Sequence, residues 1–217
     1  MGSEMCIRDR LNASPVSVSL YAGGAEHSVR VDGDLLIDVL FVGLYNPAIT
    51  ASMPEMIYDI RQGNFGILQE RLSLYFDNSG ALGMQMSVQC AEEFPFHAPE
   101  EAYIAAQAQS VQPQIAAFYP PSVQPLFVAC KEWTTVVPDP RENLPVSSDI
   151  PALILAGDQD PITPPAWGGM VAQGLSRAYF HEFPGNGHWV TRSSSCALSM
   201  ALAFWNEPTV DPGYICQ

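Results

Sequence analysis

The apolar positions of the chain follow two different periods. From Val16 the order Val-Ser-Val-Ser-Leu-Tyr alternates residue by residue, and Ser28 to Val31 repeats the alternation more briefly. Ala22-Gly-Gly-Ala lies between them, so a β-hairpin is predicted. Beyond it the spacing lengthens to three and four. Leu35 to Tyr45 predicts a helix that ends before Asn46-Pro47. Pro54 to Arg61 predicts a second helix and Phe65 to Phe76 a third, with Leu68, Leu72 and Phe76 on one face. Gly83 to Cys90 alternates imperfectly and predicts a strand. Pro99 to Gln109 predicts a further helix, followed by Pro113 to Tyr119 and a segment running to Cys130. Asp139 to Val146 is a polar, proline-bearing linker.

After the linker the pattern changes again. Pro151-Ala-Leu-Ile-Leu-Ala-Gly is an unbroken run of small and aliphatic residues between proline and glycine, which predicts a fully buried strand of a parallel sheet. Thr163 as N-cap with Pro164 at the first helical position opens a helix over Ala166 to Leu175. Ala178 to Phe183 predicts a second short strand. Ser193 or Ser194 begins the last helix, which runs through Cys196 to about Trp205 before Pro208.

The chemistry-bearing residues cluster where these two strands end. Asp158 and Asp160 occupy the turn after the first, and His188 lies on the Gly-rich turn after the second. Open α/β sheets place their sites at the carboxyl ends of strands. An acid after one strand and a histidine after the next form the second half of a Ser…Asp…His system. His181 is the rival histidine, but it falls inside an alternating strand and reads as a structural polar group. Asp158 is the rival acid and reads as a turn cap. No Gly-x-Ser-x-Gly occurs in the sequence. Ser79, Ser176 and Ser193 do not lie on a strand-to-helix elbow, so self-sufficient catalysis is not expected.

Three motifs carry a family resemblance: Gly157-Asp-Gln-Asp160-Pro-Ile-Thr-Pro-Pro, Gly185-Asn-Gly-His188, and Ser87-Val-Gln-Cys90-Ala-Glu-Glu. They resemble the C-terminal part of the α/β-hydrolase fold, and more narrowly its tripeptidyl-aminopeptidase-like, proline-iminopeptidase-related serine peptidases. The resemblance implies an α/β fold in which a mostly helical lid precedes the last two parallel strands and their helices. Residues 1–10 would be a non-native, adapter-like leader or an ordinary disordered N-terminus, residues 11–145 the lid, and residues 146–217 the C-terminal hydrolase segment. The implied activity is that of an exported serine aminopeptidase releasing short peptides or residues from free N-termini, whose serine lies in a missing N-terminal half. An esterase or lipase of the same fold is the alternative within that class. A non-catalytic domain binding a peptide or a partner protein is the alternative outside it.

Residue roles follow from the same resemblance. His188 would act as general base and then acid, and Asp160 would accept the imidazole N–H. Glu92 or Glu93 would anchor the substrate's free ammonium, against the alternative of a solvated acidic pair. Cys90 would pair with Cys130 and Cys196 with Cys216, against the alternative of four buried free thiols. Aromatic packing of Trp133 over the first bridge is expected. Disulfides imply a secreted, periplasmic or cell-surface protein.

Composition narrows the picture further. A net charge of −14 argues against nucleic acid and anionic membrane surfaces as partners. No run of eighteen apolar residues is present, so no spanning helix is expected. The five cysteines lack Cys-x-x-Cys spacing, no histidine stands in register with them, and neither a metal nor another cofactor is implied. His27 and His97 lie in polar loops and are expected at the surface, with no partner for His97 in view.

Overall fold

A computed structural model of the protein describes residues 3–22, 24–76, 81–101, 104–105, 124–133 and 139–216. Ser79, the segment Pro113 to Tyr119 and most of the helix expected over Pro99 to Gln109 lie outside them. The protein divides into two units, Met1–Asp77 with Pro145–Gln217, and Asn78–Leu144. Residues 11–77, in the stretch expected as the lid, thus fall in one compact unit with residues 145–217.

In the first unit, β1 (Val16–Ala22) and β2 (Ala25–Val31) form the expected antiparallel hairpin, with Val16 opposite Val31. Period-two alternation turns Val18, Leu20 and Val31 inward. The helix Gly33–Gly43 starts at Asp32, whose carboxylate accepts the Leu35 N–H at 3.0 Å. The helix Met53–Gln62 stops at Gly63, where φ is 82°, a left-handed residue that glycine takes without steric cost. Helix Gly66–Phe76 buries Leu68 and Leu72 completely. Phe76 is 50% exposed, so the predicted stripe stops one turn early, with Tyr75 packed on the core instead. Each fully buried leucine here is worth about 1.5–3 kcal/mol over an exposed one.

Where a leader or disordered tail was expected, Ser3–Ala13 forms a helix. Ile7 and Leu11, one helical turn apart, are 3% and 2% exposed and complete the same core. The Arg8 guanidinium donates to Asp34 at 2.7 Å, and Asn12 accepts the Gly33 N–H at 2.7 Å. No break in packing marks residue 10.

The second unit is helical where described. Gly83 to Cys90 is not a strand: Leu82–Val88 is an α-helix that widens into a π-turn over Gln89–Glu93. The reason was present in the sequence, because Met86 and Cys90, four residues apart, are the buried pair. Cys90 is bonded to Cys130 on the helix formed by residues 124–133, with Phe94, Leu126 and Ala129 packed around the bridge. Trp133 is half-exposed and outside that cluster, and its indole N–H donates to Ser87 Oγ at 3.1 Å. His97 has a partner after all, the carboxylate of Glu101 at 3.2 Å, and both are exposed. His27 lies exposed on β2. Asp139 caps a 3-10 turn over Pro140–Asn143 in the expected linker.

The C-terminal part of the first unit is the α/β element. β3 (Ala152–Gly157) and β4 (Ala178–Phe183) pair in parallel, with Leu153 opposite Tyr179 and Gly157 opposite Phe183. Successive side chains point to opposite faces. Ile154 and Phe180 meet Gly168 of the helix Pro165–Gly174 on one face. Leu155 and Phe183 pack with Met200 of the helix Ser195–Asn206 on the other. β3 is only half-buried until Ala156 and Gly157, short of the complete burial expected, because among the described residues its sheet has two strands. Ser194 caps the last helix, accepting the Ala197 N–H, and the bonded pair Cys196–Cys216 ties that helix to the tail.

Candidate active site

The site begins with a close backbone approach. A Cβ on Gly157 would fall 2.3 Å from the Asn186 carbonyl oxygen and 2.5 Å from that of Gly187, so only glycine lets the two strand tips meet. Three contacts then fasten the two turns. The Asp158 N–H donates to the Phe183 carbonyl at 3.2 Å, the Gln159 N–H to the Asn186 carbonyl at 2.9 Å, and the Gly185 N–H to Asp158 Oδ1 at 2.7 Å. Asp158 therefore caps the histidine's turn across the strands, not its own.

Asp160 makes the local turn bonds itself. Its Oδ1 accepts the N–H groups of Ile162 at 2.8 Å and Thr163 at 3.0 Å, and its Oδ2 accepts the Thr163 hydroxyl at 2.7 Å. Thr163 is consequently not the N-cap expected of it: its hydroxyl is committed to Asp160, and Pro164 occupies the cap position. His188 Nδ1 lies 2.9 Å from Asp160 Oδ2 and 3.1 Å from Oδ1. An ionised carboxylate only accepts, so Nδ1 carries the hydrogen and Nε2 is the basic nitrogen.

The electrostatics favour that arrangement. Burial pushes the Asp160 carboxyl up, but bonds from the Thr163 N–H, the Thr163 hydroxyl, the Ile162 N–H and His188 outweigh it and hold the group below the usual carboxylate range. The Tyr45 phenol is pushed up by burial and then by the nearby Asp160 charge.

Two aromatic rings pack against the imidazole. Tyr45 meets it edge-on with centroids 5.1 Å apart, and Trp189 lies at 5.4 Å. Trp189 has φ 59° and ψ 58°, a left-handed backbone that costs a bulky residue roughly 1–2 kcal/mol and sets the direction of the backbone immediately after His188. A cavity of about 590 Å³ opens beside the ring, lined by Tyr45, Asn46, Asn186, His188, Trp189 and Arg192 among others.

The other expected positions have surroundings of their own. Glu92 and Glu93 are exposed on the π-turn of the second unit. His181 bonds Asp211 Oδ1 at 2.7 Å, the structural role expected of it. Ser176 donates to the Ser148 carbonyl near the opposite end of the strands from Asp160. Ser193 lines the cavity, but its hydroxyl donates to Asn186 Oδ1 at 2.9 Å. Thr163, Tyr45 and Arg192 were not singled out from the sequence as site residues. The spacing Asp160-x-x-Thr163 was the available signal for the first; the other two are brought in by folding alone.

A helix-flanked parallel strand pair with an acid and a histidine at its tips is compatible with part of an α/β-hydrolase fold. Residues 116–216 match a family model described as TAP-like protein, which supports membership of that superfamily and a hydrolase function in general. No curated protein and no solved structure matches the sequence. The two bonded cysteine pairs fit an oxidising compartment. Among the described residues, no helix is long and apolar enough to cross a membrane.

Proposed function

We propose that Asp160 and His188 are the acid and base of a serine hydrolase triad, and that the enzyme is an exported aminopeptidase acting on peptides with free N-termini. The single observation that carries this reading is the 2.9 Å contact between Nδ1 of His188, whose ring lines a cavity, and a buried, ionised carboxylate. The nucleophile would be a serine on a Gly-x-Ser-x-Gly elbow, which these 217 residues do not contain.

In that mechanism His188 Nε2 takes the serine proton as the hydroxyl oxygen attacks the scissile carbonyl. Asp160 holds the ring in the correct tautomer and stabilises the imidazolium without taking the proton. The imidazolium then gives that proton to the leaving amine, and water, deprotonated by the same ring, releases the acyl group. Glu92 or Glu93 would supply the anion that a desolvated substrate ammonium needs.

The test uses a protein that combines the 217 residues with a Gly-x-Ser-x-Gly half of the same fold. Hydrolysis of a free-amine peptide amide should exceed that of its N-acetylated form and of a simple ester. Equal rates on blocked and free peptides, in wild type and in Glu92→Gln and Glu93→Gln alike, would refute the aminopeptidase assignment. Full activity in His188→Ala would refute the triad.

A further inference from the structure

The cavity beside His188 is lined differently from the protein as a whole. The sequence holds 23 Asp and Glu against 9 Lys and Arg. Yet among the described residues the cavity is lined by no carboxylate and by one guanidinium, that of Arg192. Asp160 makes no ion pair with it, and its oxygens are engaged by Ile162, Thr163 and His188. Among the described residues Arg192 makes no ion pair; its guanidinium carbon sits 5.9 Å from the Trp189 ring centroid. Contact with an aromatic face restrains the planar group while leaving its in-plane N–H donors unused.

Two neutral donors line the same space. The Asn46 side-chain oxygen accepts the Ala48 N–H at 3.0 Å, which leaves its NH₂ to donate outward. The Tyr45 phenol, which lines the cavity, is a potential donor, since its pKa is raised and it stays protonated. A restrained fork of cationic donors with neutral donors beside it suits a planar anion and repels an ammonium.

We propose that this cavity is a carboxylate subsite, in which Arg192, assisted by Asn46 and Tyr45, holds a carboxylate of the peptide beside His188. The proposal rests on the hydrolase reading of the site and names what the cavity selects. The carboxylate has two possible sources, the C-terminus of a peptide or an acidic side chain.

Calorimetry on the 217-residue protein separates the outcomes, with three probes: N-acetyl-alanyl-alanine, its C-terminal amide, and the amide of N-acetyl-alanyl-glutamate. At low salt the free-carboxylate probe should bind about fivefold more tightly than its amide, the scale of a solvent-exposed charge pair. The gap should narrow as ionic strength rises. Arg192→Gln should erase it, Arg192→Lys should keep part of it, and both should melt as wild type does because the side chain makes no ion pair. A glutamyl amide that binds like the free carboxylate assigns the subsite to any carboxylate; one that binds like the alanyl amide assigns it to a peptide terminus. Equal binding of carboxylate and amide, or a gap that survives Arg192→Gln, overturns the proposal. A peptidase that depends on His188 but ignores the carboxylate would leave the hydrolase reading standing without this subsite. Carboxylate selectivity in an enzyme whose turnover survives His188→Ala would do the reverse.

Discussion

Two aspartate–histidine pairs lie along the same strand and its continuation, and they have little else in common. In His181–Asp211 the side chains are 25% and 51% exposed, and the carboxylate also accepts the Gly213 N–H, so the pair holds the C-terminal tail against β4. In His188–Asp160 they are 16% and 5% exposed, and the carboxylate accepts three further bonds while the ring faces a cavity. The pairwise distances, 2.7 and 2.9 Å, do not separate them. What separates them is the surroundings: a desolvated, over-bonded acid beside an open space fits proton transfer, whereas a solvated pair on a tail fits anchoring.

Several experiments would break or sharpen that contrast. In the proposed hydrolase the largest effect is expected from His188→Ala or Asp160→Asn, where kcat/KM should fall by about 10⁴–10⁶, as loss of a triad member does elsewhere. His181→Gln should leave kcat/KM within about twofold. Comparable losses at the two histidines, read from initial rates, would erase the distinction.

Replacing both Cys196 and Cys216 by serine should lower stability by about 3 kcal/mol in the loop-entropy model, measured by urea unfolding, since the bridge closes a separation of 20 residues. The loss should appear as reduced stability with the activity of the folded fraction intact. Thr163→Val should cost about 1–2 kcal/mol of stability, because it removes a bond to a buried carboxylate. It should also lower kcat more than KM.

The pH dependence has a definite sign. Asp160 is held below its ordinary pKa, so its stabilising contribution is complete above roughly pH 4 and is lost as pH falls through the lower folded value. Asp160→Asn should therefore flatten the acid limb of the stability curve. Asp211 is shifted in the same direction, by the Gly213 N–H against some burial and then by His181. Being half-exposed, Asp211→Asn should change stability by less than about 1 kcal/mol, the smallest effect of the set. A larger flattening of the acid limb by Asp211→Asn than by Asp160→Asn would invert the ranking of the two pairs.

Local pattern made part of this legible. The β1–β2 hairpin, β3, β4 and the helices around them follow from period and punctuation, which act over a few residues. The pairing of Asp160 with His188 was also within reach, because both sit immediately past strands that must lie side by side. Two elements misled for physical reasons. Gly83 to Cys90 has a weak alternation that competes with a four-residue spacing, and the disulfide and its packed neighbours decide for the helix. The helix Ser3–Ala13 was not expected, and Ile7 and Leu11 have a core to enter, which no window of sequence around them reveals. Tyr45 and Arg192 were invisible for a third reason: they reach the site from a loop and a short helix whose positions only the tertiary fold sets.

Position 157 has a consequence for how this protein can vary. With two carbonyl oxygens occupying the space of a methyl group, a saturation library there should return one viable letter, and even alanine should be purged. Whatever selectivity drift alters at the rim, the register between acid and base is locked by a side chain that is not there.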